Sequence, residues 1–312
     1  MSKLNYEYVF NTLVEETAKY ILRNNLKAMI LGISGGIDST VVAAICHEVS
    51  KNTGIPLIGR SLPIKNKGDE FDVSKLVGEA FCDEFKVCPM TRLYHAALKE
   101  VYQVENMDRH ESTYTIKELE VANGRTPIAN GNIQARLRMM FLYNLASIHR
   151  GLVMSTDNQT EYQLGFWTIH GDVGDFDLIQ GLWKTEVYEL ANWLVSYYRS
   201  NKGSYVPSDN TAERDKRWDM EDALIKSIAL TPTDGLGISN SDLDQIGAKS
   251  YYDVDRVLQT LTCKASPEND KLQDELTSEL GPDVVGKITE RHLKSRFKRL
   301  LSPIIVPREM YD

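Results

Sequence analysis

Lys27-Ala28-Met29-Ile30-Leu31-Gly32-Ile33-Ser34-Gly35-Gly36-Ile37-Asp38-Ser39-Thr40 is the stretch that decides the fold. Its first half is a short, continuous apolar run, the pattern of a strand buried on both faces of a parallel sheet. Its last residues open a helix read over residues 39–51, with Val41, Val42, Ala44, Ile45 and Val49 as apolar content. Between the two, Gly35 and Gly36 let the backbone approach an anion closely and take positive φ. Such a junction leaves backbone N–H groups free at the positive end of the helix dipole and so forms an anion site. Ser34, Ser39 and Thr40 add hydroxyl donors for phosphate oxygens. Asp38 would repel a bare phosphate, but it makes sense as a holder of Mg2+, which bridges carboxylates and phosphates. The blander reading is a tight turn in which Asp38 caps the helix. Neither GxxxxGK[ST] nor GxGxxG is present, so this is not a Walker loop or a dinucleotide fingerprint.

Outward from this junction, strand and helix patterns alternate. Helices are expected at residues 5–24, 69–84, 91–104, 132–150 and 184–198, and strands at 56–62, 85–90 and 152–155. Alternation with short connections predicts an α/β protein: a Rossmann-like, doubly wound parallel sheet with helices on both faces. A single domain is expected over residues 1–312, with the nucleotide-binding core at about 25–200. A polar insertion follows at 200–219. The part from 220 to 312 reads as a helical C-terminal extension, broken at Pro232, Pro267, Gly281-Pro282 and Pro303.

Composition narrows the classes. Over 312 residues, 36 basic and 44 acidic side chains leave a net charge of −8, which argues against general nucleic-acid binding. No apolar run approaches the roughly 18 residues of a membrane span, and residues 1–10 lack the pattern of a signal peptide. The four cysteines (Cys46, Cys82, Cys88, Cys263) form no CxxC pair. They read as buried small hydrophobes in a reducing cytoplasm, not as disulfides or zinc ligands. A cytoplasmic protein with no membrane partner is expected.

The spelling SGGxDS after a strand resembles the pyrophosphate-binding loop of the N-type ATP pyrophosphatases, which cleave ATP between the α and β phosphates and adenylylate a substrate oxygen. Further matches run in chain order and resemble NAD synthetases. Gly131 to Met139 is similar to their GNxxARxRM segment, and Ser155 to Glu161 to GTDxxxE. Gly171 to Asp175 is similar to GDGxxD, and Leu182-Trp183-Lys184-Thr185 to L-[TY]-K-T. Leu236-Gly237-Ile238-Ser239 with Asp242-Leu243-Asp244 resembles LGISYxEID, and Phe297-Lys298-Arg299 ahead of Pro303 resembles HKRxxP.

That resemblance implies amidation of deamido-NAD+ by ammonia, through a carboxyl-adenylate, with release of pyrophosphate and AMP. It assigns ATP to Gly32, Ile33, Ser34, Gly35, Gly36, Ile37, Asp38, Ser39, Thr156, Lys184 and Thr233. It assigns Mg2+ to Asp38 and Glu161, and deamido-NAD+ to Arg136, Asp175, Phe297 and Lys298. Asp172 and Asp177 rival Asp175, because the glycine loop is one residue shorter than in the family. Ile169-His170 stands where many members carry a lysine. No nucleophilic side chain is required, and Asp38 and Lys184 act by positioning. The resemblance also implies a homodimer, with loops around 108–125 and 200–219 ordering over ATP. Only 31 residues precede Gly32, so no amidase domain is expected and ammonia is used directly. The alternatives are another ATP pyrophosphatase acting on a different acceptor, and a nucleotide sensor without turnover.

Overall fold

The computed structural model describes residues 4–64, 68–105, 126–200, 216–232, 242–264 and 266–299. Five strands form one sheet: β1 (Met29–Gly32), β2 (Leu57–Ser61), β3 (Glu84–Val87), β4 (Leu152–Ser155) and β5 (Phe176–Asp177). The order is β3-β2-β1-β4-β5, and every pair is parallel. Met29 pairs with Leu57 on one side and Leu152 on the other, so the apolar run is the centre of the sheet.

Around it lie α1 (Tyr6–Arg23), α2 (Ile37–Thr53), α3 (Asp69–Phe81), α4 (Thr91–Glu105), α5 (Thr126–His149), α6 (Gln159–Leu164), α7 (Lys184–Ser200) and α8 (Lys216–Ala229). α9 (Asp242–Ile246), α10 (Tyr251–Thr262), α11 (Pro267–Leu280), α12 (Pro282–Lys294) and α13 (Arg296–Arg299) follow. Alternate residues of a strand point to opposite faces, and the core divides accordingly. Met29, Leu31 and Leu57 pack with α1, α2, α3, α7 and α8. Ala28, Ile30, Ile58 and Val153 pack with α4 and α5. This is the doubly wound arrangement. The C-terminal helices have a third apolar cluster, in which Val254, Leu258, Leu276 and Ile288 meet Leu164 of α6.

Boundaries move for identifiable reasons. α5 begins at Thr126 rather than 132, because Pro127 lies in the first turn, where its missing N–H costs nothing. α3 stops at Phe81 rather than 84. Asp83 has left the helix, and its carboxylate accepts from Leu57 N at 2.7 Å and Ser50 Oγ at 2.6 Å. The short β5 lies outside the strands that the sequence pattern predicts. Pro267 and Pro282 each open a helix, as expected of prolines at a first turn. Cys46 and Cys82 are buried and Cys88 is half-buried, but Cys263 is exposed, because it ends α10. That last position corrects the reading of all four cysteines as buried. No described helix is long and apolar enough to cross a membrane.

Open α/β sheets bind ligands at the carboxyl ends of strands where the connections diverge. Here that point lies between β1, whose chain runs on through α2 to β2, and β4, whose chain runs on toward β5.

Candidate active site

The loop between β1 and α2 owes its shape to one glycine. Gly35 has φ +91°, and a Cβ there would lie 2.6 Å from Glu70 O and 2.8 Å from Ser74 N. Gly36 is different. Its φ is −67° and ψ 161°, so it is extended, and the expected positive φ holds for Gly35 alone. Gly36 N donates to Ser34 Oγ at 3.2 Å, and Gly36 O accepts from Ser39 Oγ at 3.0 Å and Thr40 Oγ1 at 2.9 Å. No described side chain caps the N-terminus of α2, so its first N–H groups stay open to an anion. Thr40 is fully buried and pairs with Ser227 Oγ at 2.8 Å, which corrects its expected place as a phosphate donor.

Asp38 does not cap α2 either. Its Oδ2 accepts from Lys184 Nζ at 2.5 Å and its Oδ1 from Asn158 Nδ2 at 2.8 Å. The same ammonium donates to Glu161 Oε1 at 2.9 Å. Lys184 opens α7 with only 1% of its surface exposed. A lysine at a helix start opposes the dipole. Burial opposes its charge, but Asp38 and Glu161 outweigh burial and hold its pKa well above the usual lysine range. Glu161 belongs to a capping box on α6: Asn158 Oδ1 accepts from Glu161 N at 3.0 Å. The α6 cap is therefore Asn158.

These two carboxylates fit Mg2+. One ammonium already touches both, so their hard oxygens converge on one cation position. Among the described residues no cluster of three His, Cys, Asp or Glu surrounds a single point. Mg2+, which keeps several waters and pairs with substrate phosphates, would suit a position with two carboxylates alone.

The loop and the charged centre open on a cavity of about 340 Å³. Gly32, Ile33, Ser34, Gly36, Ile37, Asp38, Thr156, Glu161 and Lys184 all line it. Ser39 is buried behind the loop, 3.0 Å from Ser34 Oγ. Thr233 falls outside the described residues, although Thr231 and Pro232 just before it line the cavity.

The four residues expected on the dinucleotide lie outside this lining. Arg136 is exposed, and its guanidinium donates to Ile169 O at 3.2 and 3.3 Å. Asp175 Oδ2 accepts from Val153 N at 3.1 Å, tying the glycine loop to β4. Phe297 is 63% exposed. Lys298 Nζ donates to Gly165 O at 2.6 Å and to Trp167 O, above the Trp167 ring.

Other charged groups face the cavity instead. Arg60, buried on β2, donates to Glu84 Oε1 at 2.6 Å, and Arg138 Nε donates to Leu62 O at 3.1 Å. The one sequence signal for Arg60 is a lone charge inside a short buried strand. Asp172 is reached by water from the cavity yet crowded by protein. That crowding pushes its carboxyl up to about 6, against the pull of Thr168 N–H, Lys298 and Arg138. Asp157 lies deeper. Burial and the neighbouring Asp172 and Glu161 carboxylates hold it well above the usual range.

Comparison with known proteins agrees with this architecture. The family model described as NAD synthase matches residues 9–302. An NH(3)-dependent NAD(+) synthetase of Thermoplasma acidophilum is 31% identical, over 88% of this chain and 89% of that protein. A glutamine-dependent NAD(+) synthetase of Thermotoga maritima is 26% identical over 95% of this chain, which spans only 49% of that longer protein. The solved structure of an NMN synthetase from Francisella tularensis superposes with a TM-score of 0.67 at 21% identity, covering 98% of this chain and 100% of that one.

Proposed function

The chain belongs to the NAD synthase family, and on that premise we propose that it is an ammonia-using NAD+ synthetase of the cytoplasm. ATP activates the nicotinate carboxylate of deamido-NAD+, and ammonia then completes the amide. The observation that carries this reading is the Lys184 ammonium held between Asp38 and Glu161, beside an uncapped helix N-terminus at the switch point of the sheet.

The open N–H groups of the loop and of α2 grip the phosphates of ATP, and the loop's small residues let them approach. Lys184 supplies positive charge to the oxygens that gain negative charge as the α–β bond breaks. Asp38 and Glu161 would hold Mg2+, which would supply charge neutralisation for the triphosphate. A carboxylate oxygen of deamido-NAD+ attacks the α-phosphorus, and pyrophosphate leaves with the bonding electrons. Ammonia then attacks the acyl carbon, AMP departs and one proton passes to solvent. No side-chain nucleophile enters. The site's work is alignment and charge stabilisation.

Ammonia rather than glutamine is favoured by the collinear match to the NH(3)-dependent relative over 89% of its length. The same reading makes the protein a homodimer. Exposed Met140 and Ile148 on α5 give that interface an apolar surface, and light scattering of the purified protein tests it.

The deciding experiment supplies Mg2+, ATP and deamido-NAD+ with either ammonium or glutamine, and scores NAD+ and AMP. NAD+ from ammonium, with AMP in equal amount, supports the reading. Turnover of the mononucleotide acid in preference to deamido-NAD+ would move the reading to NMN synthesis, the activity in the name of the Francisella protein. AMP release with neither acid would leave only an ATP pyrophosphatase acting on another acceptor.

A further inference from the structure

Asp255 lies on α10, in the C-terminal helical cluster, outside the cavity lining and fully buried. Its Oδ1 accepts from Thr160 Oγ1 at 2.5 Å. Its Oδ2 accepts from Thr185 N at 3.0 Å and Thr185 Oγ1 at 2.8 Å. Having donated its proton to Asp255, Thr160 Oγ1 accepts Lys184 N–H at 2.8 Å. Thr160 immediately precedes Glu161, and Thr185 immediately follows Lys184. One buried carboxylate is thus bonded to the chain neighbour of each member of the Lys184–Glu161 pair.

We propose that Asp255 is a positioning residue, which fixes the start of α7 against α6 so that Lys184 and Glu161 meet at the phosphate end of the cavity. The inference rests on the reading of those two residues as phosphate and Mg2+ contacts. The physical case is one of satisfaction and charge. Lys184 and Thr185 carry the first N–H groups of α7, which have no partner inside the helix. A carboxylate at that end satisfies one directly, satisfies the other through Thr160, and complements the helix dipole. A buried anion is tolerated only where its acceptor sites are filled; here three donors fill them. An amide cannot reproduce this pattern. In Asp255→Asn one oxygen becomes an NH2 donor. Turned toward Thr160, it leaves that hydroxyl without an acceptor. Turned toward Thr185, it confronts a backbone N–H with another donor.

The test compares wild type with Asp255→Asn, Thr160→Val and Val254→Ala. Val254 is fully buried in the same helix and belongs to its apolar cluster; its side chain can neither donate nor accept, so its truncation measures loss of packing without removing a hydrogen bond. Steady-state kinetics, melting temperature and calorimetric titration with Mg2+–ATP are read on each. Asp255→Asn and Thr160→Val are expected to lower kcat about 10- to 100-fold, as misplacement of a catalytic group does, with KM for deamido-NAD+ unchanged. Their Mg2+–ATP affinity is expected to fall about 10-fold, the loss of one charge-assisted contact. Val254→Ala is expected to lower the melting temperature and to leave kcat and ATP affinity intact. The proposal is overturned if Asp255→Asn and Thr160→Val behave like Val254→Ala. If Asp255→Asn does not fold, Thr160→Val decides by itself, since valine keeps the shape and removes only the hydroxyl. A wild-type protein that binds Mg2+–ATP but makes no NAD+ sinks the proposed activity and not this inference, which the titrations then settle alone.

Discussion

Two clusters of charged side chains meet α6, one at each end, and they do different work. At its N-terminal end Lys184 faces two carboxylates and an open cavity. At its C-terminal end the run from Arg291 to Arg299 faces backbone carbonyls. Arg291 Nε donates to Leu164 O at 2.9 Å, Arg299 Nη1 to Gln163 O at 2.7 Å, and Lys298 Nζ to Gly165 O at 2.6 Å. Those carbonyls are the orphan acceptors of a helix end, and cations there complement the dipole. Both clusters look like anion-binding residues in the sequence, but only one has its charge directed at the place where phosphates would lie. A cation's partner is set by the fold, not by the density of charge around it.

The largest expected effect breaks the N-terminal cluster. Lys184→Met is expected to lower kcat about 100- to 1000-fold, the loss seen when one preorganised donor is removed. It also frees Asp38 and Glu161 from their shared cation. Mn2+ binding without nucleotide, followed by electron paramagnetic resonance, is therefore expected to tighten relative to wild type. Unchanged Mn2+ binding would mean that Lys184 and the metal do not share one position.

Gly35→Ala sharpens the same region. A left-handed backbone and a Cβ 2.6 Å from Glu70 O both oppose the side chain, at about 1–3 kcal/mol for the strained backbone alone. A lower melting temperature and weakened ATP binding are expected together. Gly36→Ala is the contrast: its extended φ of −67° suits any residue, and its Cβ would meet only Ser34 Oγ at 3.4 Å. It is expected to be milder in both measurements.

The C-terminal cluster predicts the reverse pattern. Lys298→Met removes two hydrogen bonds, one to the C-cap carbonyl of α6 at Gly165 and one to Trp167 O just beyond it. A stability loss of about 1 kcal/mol is expected, with KM for deamido-NAD+ changed less than about threefold, a change too small for a lost charge-assisted contact. A KM rise of tenfold or more without a fall in melting temperature would return Lys298 to the substrate, where family resemblance puts it.

The division between legible and illegible features follows sequence distance. β1, the glycine loop and α2 could be read because an apolar run, two glycines and a helical pattern are contiguous. Lys184, Asp38 and Glu161 stand out in the sequence one by one, through family resemblance. Their convergence is a property of the fold, since 146 positions separate Lys184 from Asp38. Asp255 is illegible in the sequence because its partners lie 95 and 70 positions away, and an aspartate on a helix reads as solvated. β5 was missed because two residues after a glycine loop carry no period to detect. The early start of α5 was missed because Pro127 and Gly131 look like breaks, although a first-turn proline is not one.

Asp172 lies in the field of both clusters, close to Lys298 and to the Asp157–Glu161 side of the cavity, and it predicts the smallest effect. Its carboxyl titrates at about 6 in the folded protein and near 3.9 in an unfolded chain. Between those values the native state keeps a proton that the unfolded state has lost. Stability therefore falls as pH rises through this window and is constant above it. Asp172→Asn keeps an oxygen for Thr168 N–H and removes the titration. The melting temperature of the variant should thus gain on wild type from pH 4.5 to 7. Water in the cavity screens the charge, so the gain is about 1 kcal/mol or less, or about 2 °C. Asp157 titrates in the same sense and remains in both proteins, so the expected signal is a widening gap and not a flat curve. Parallel curves would mean that solvent screens Asp172 fully.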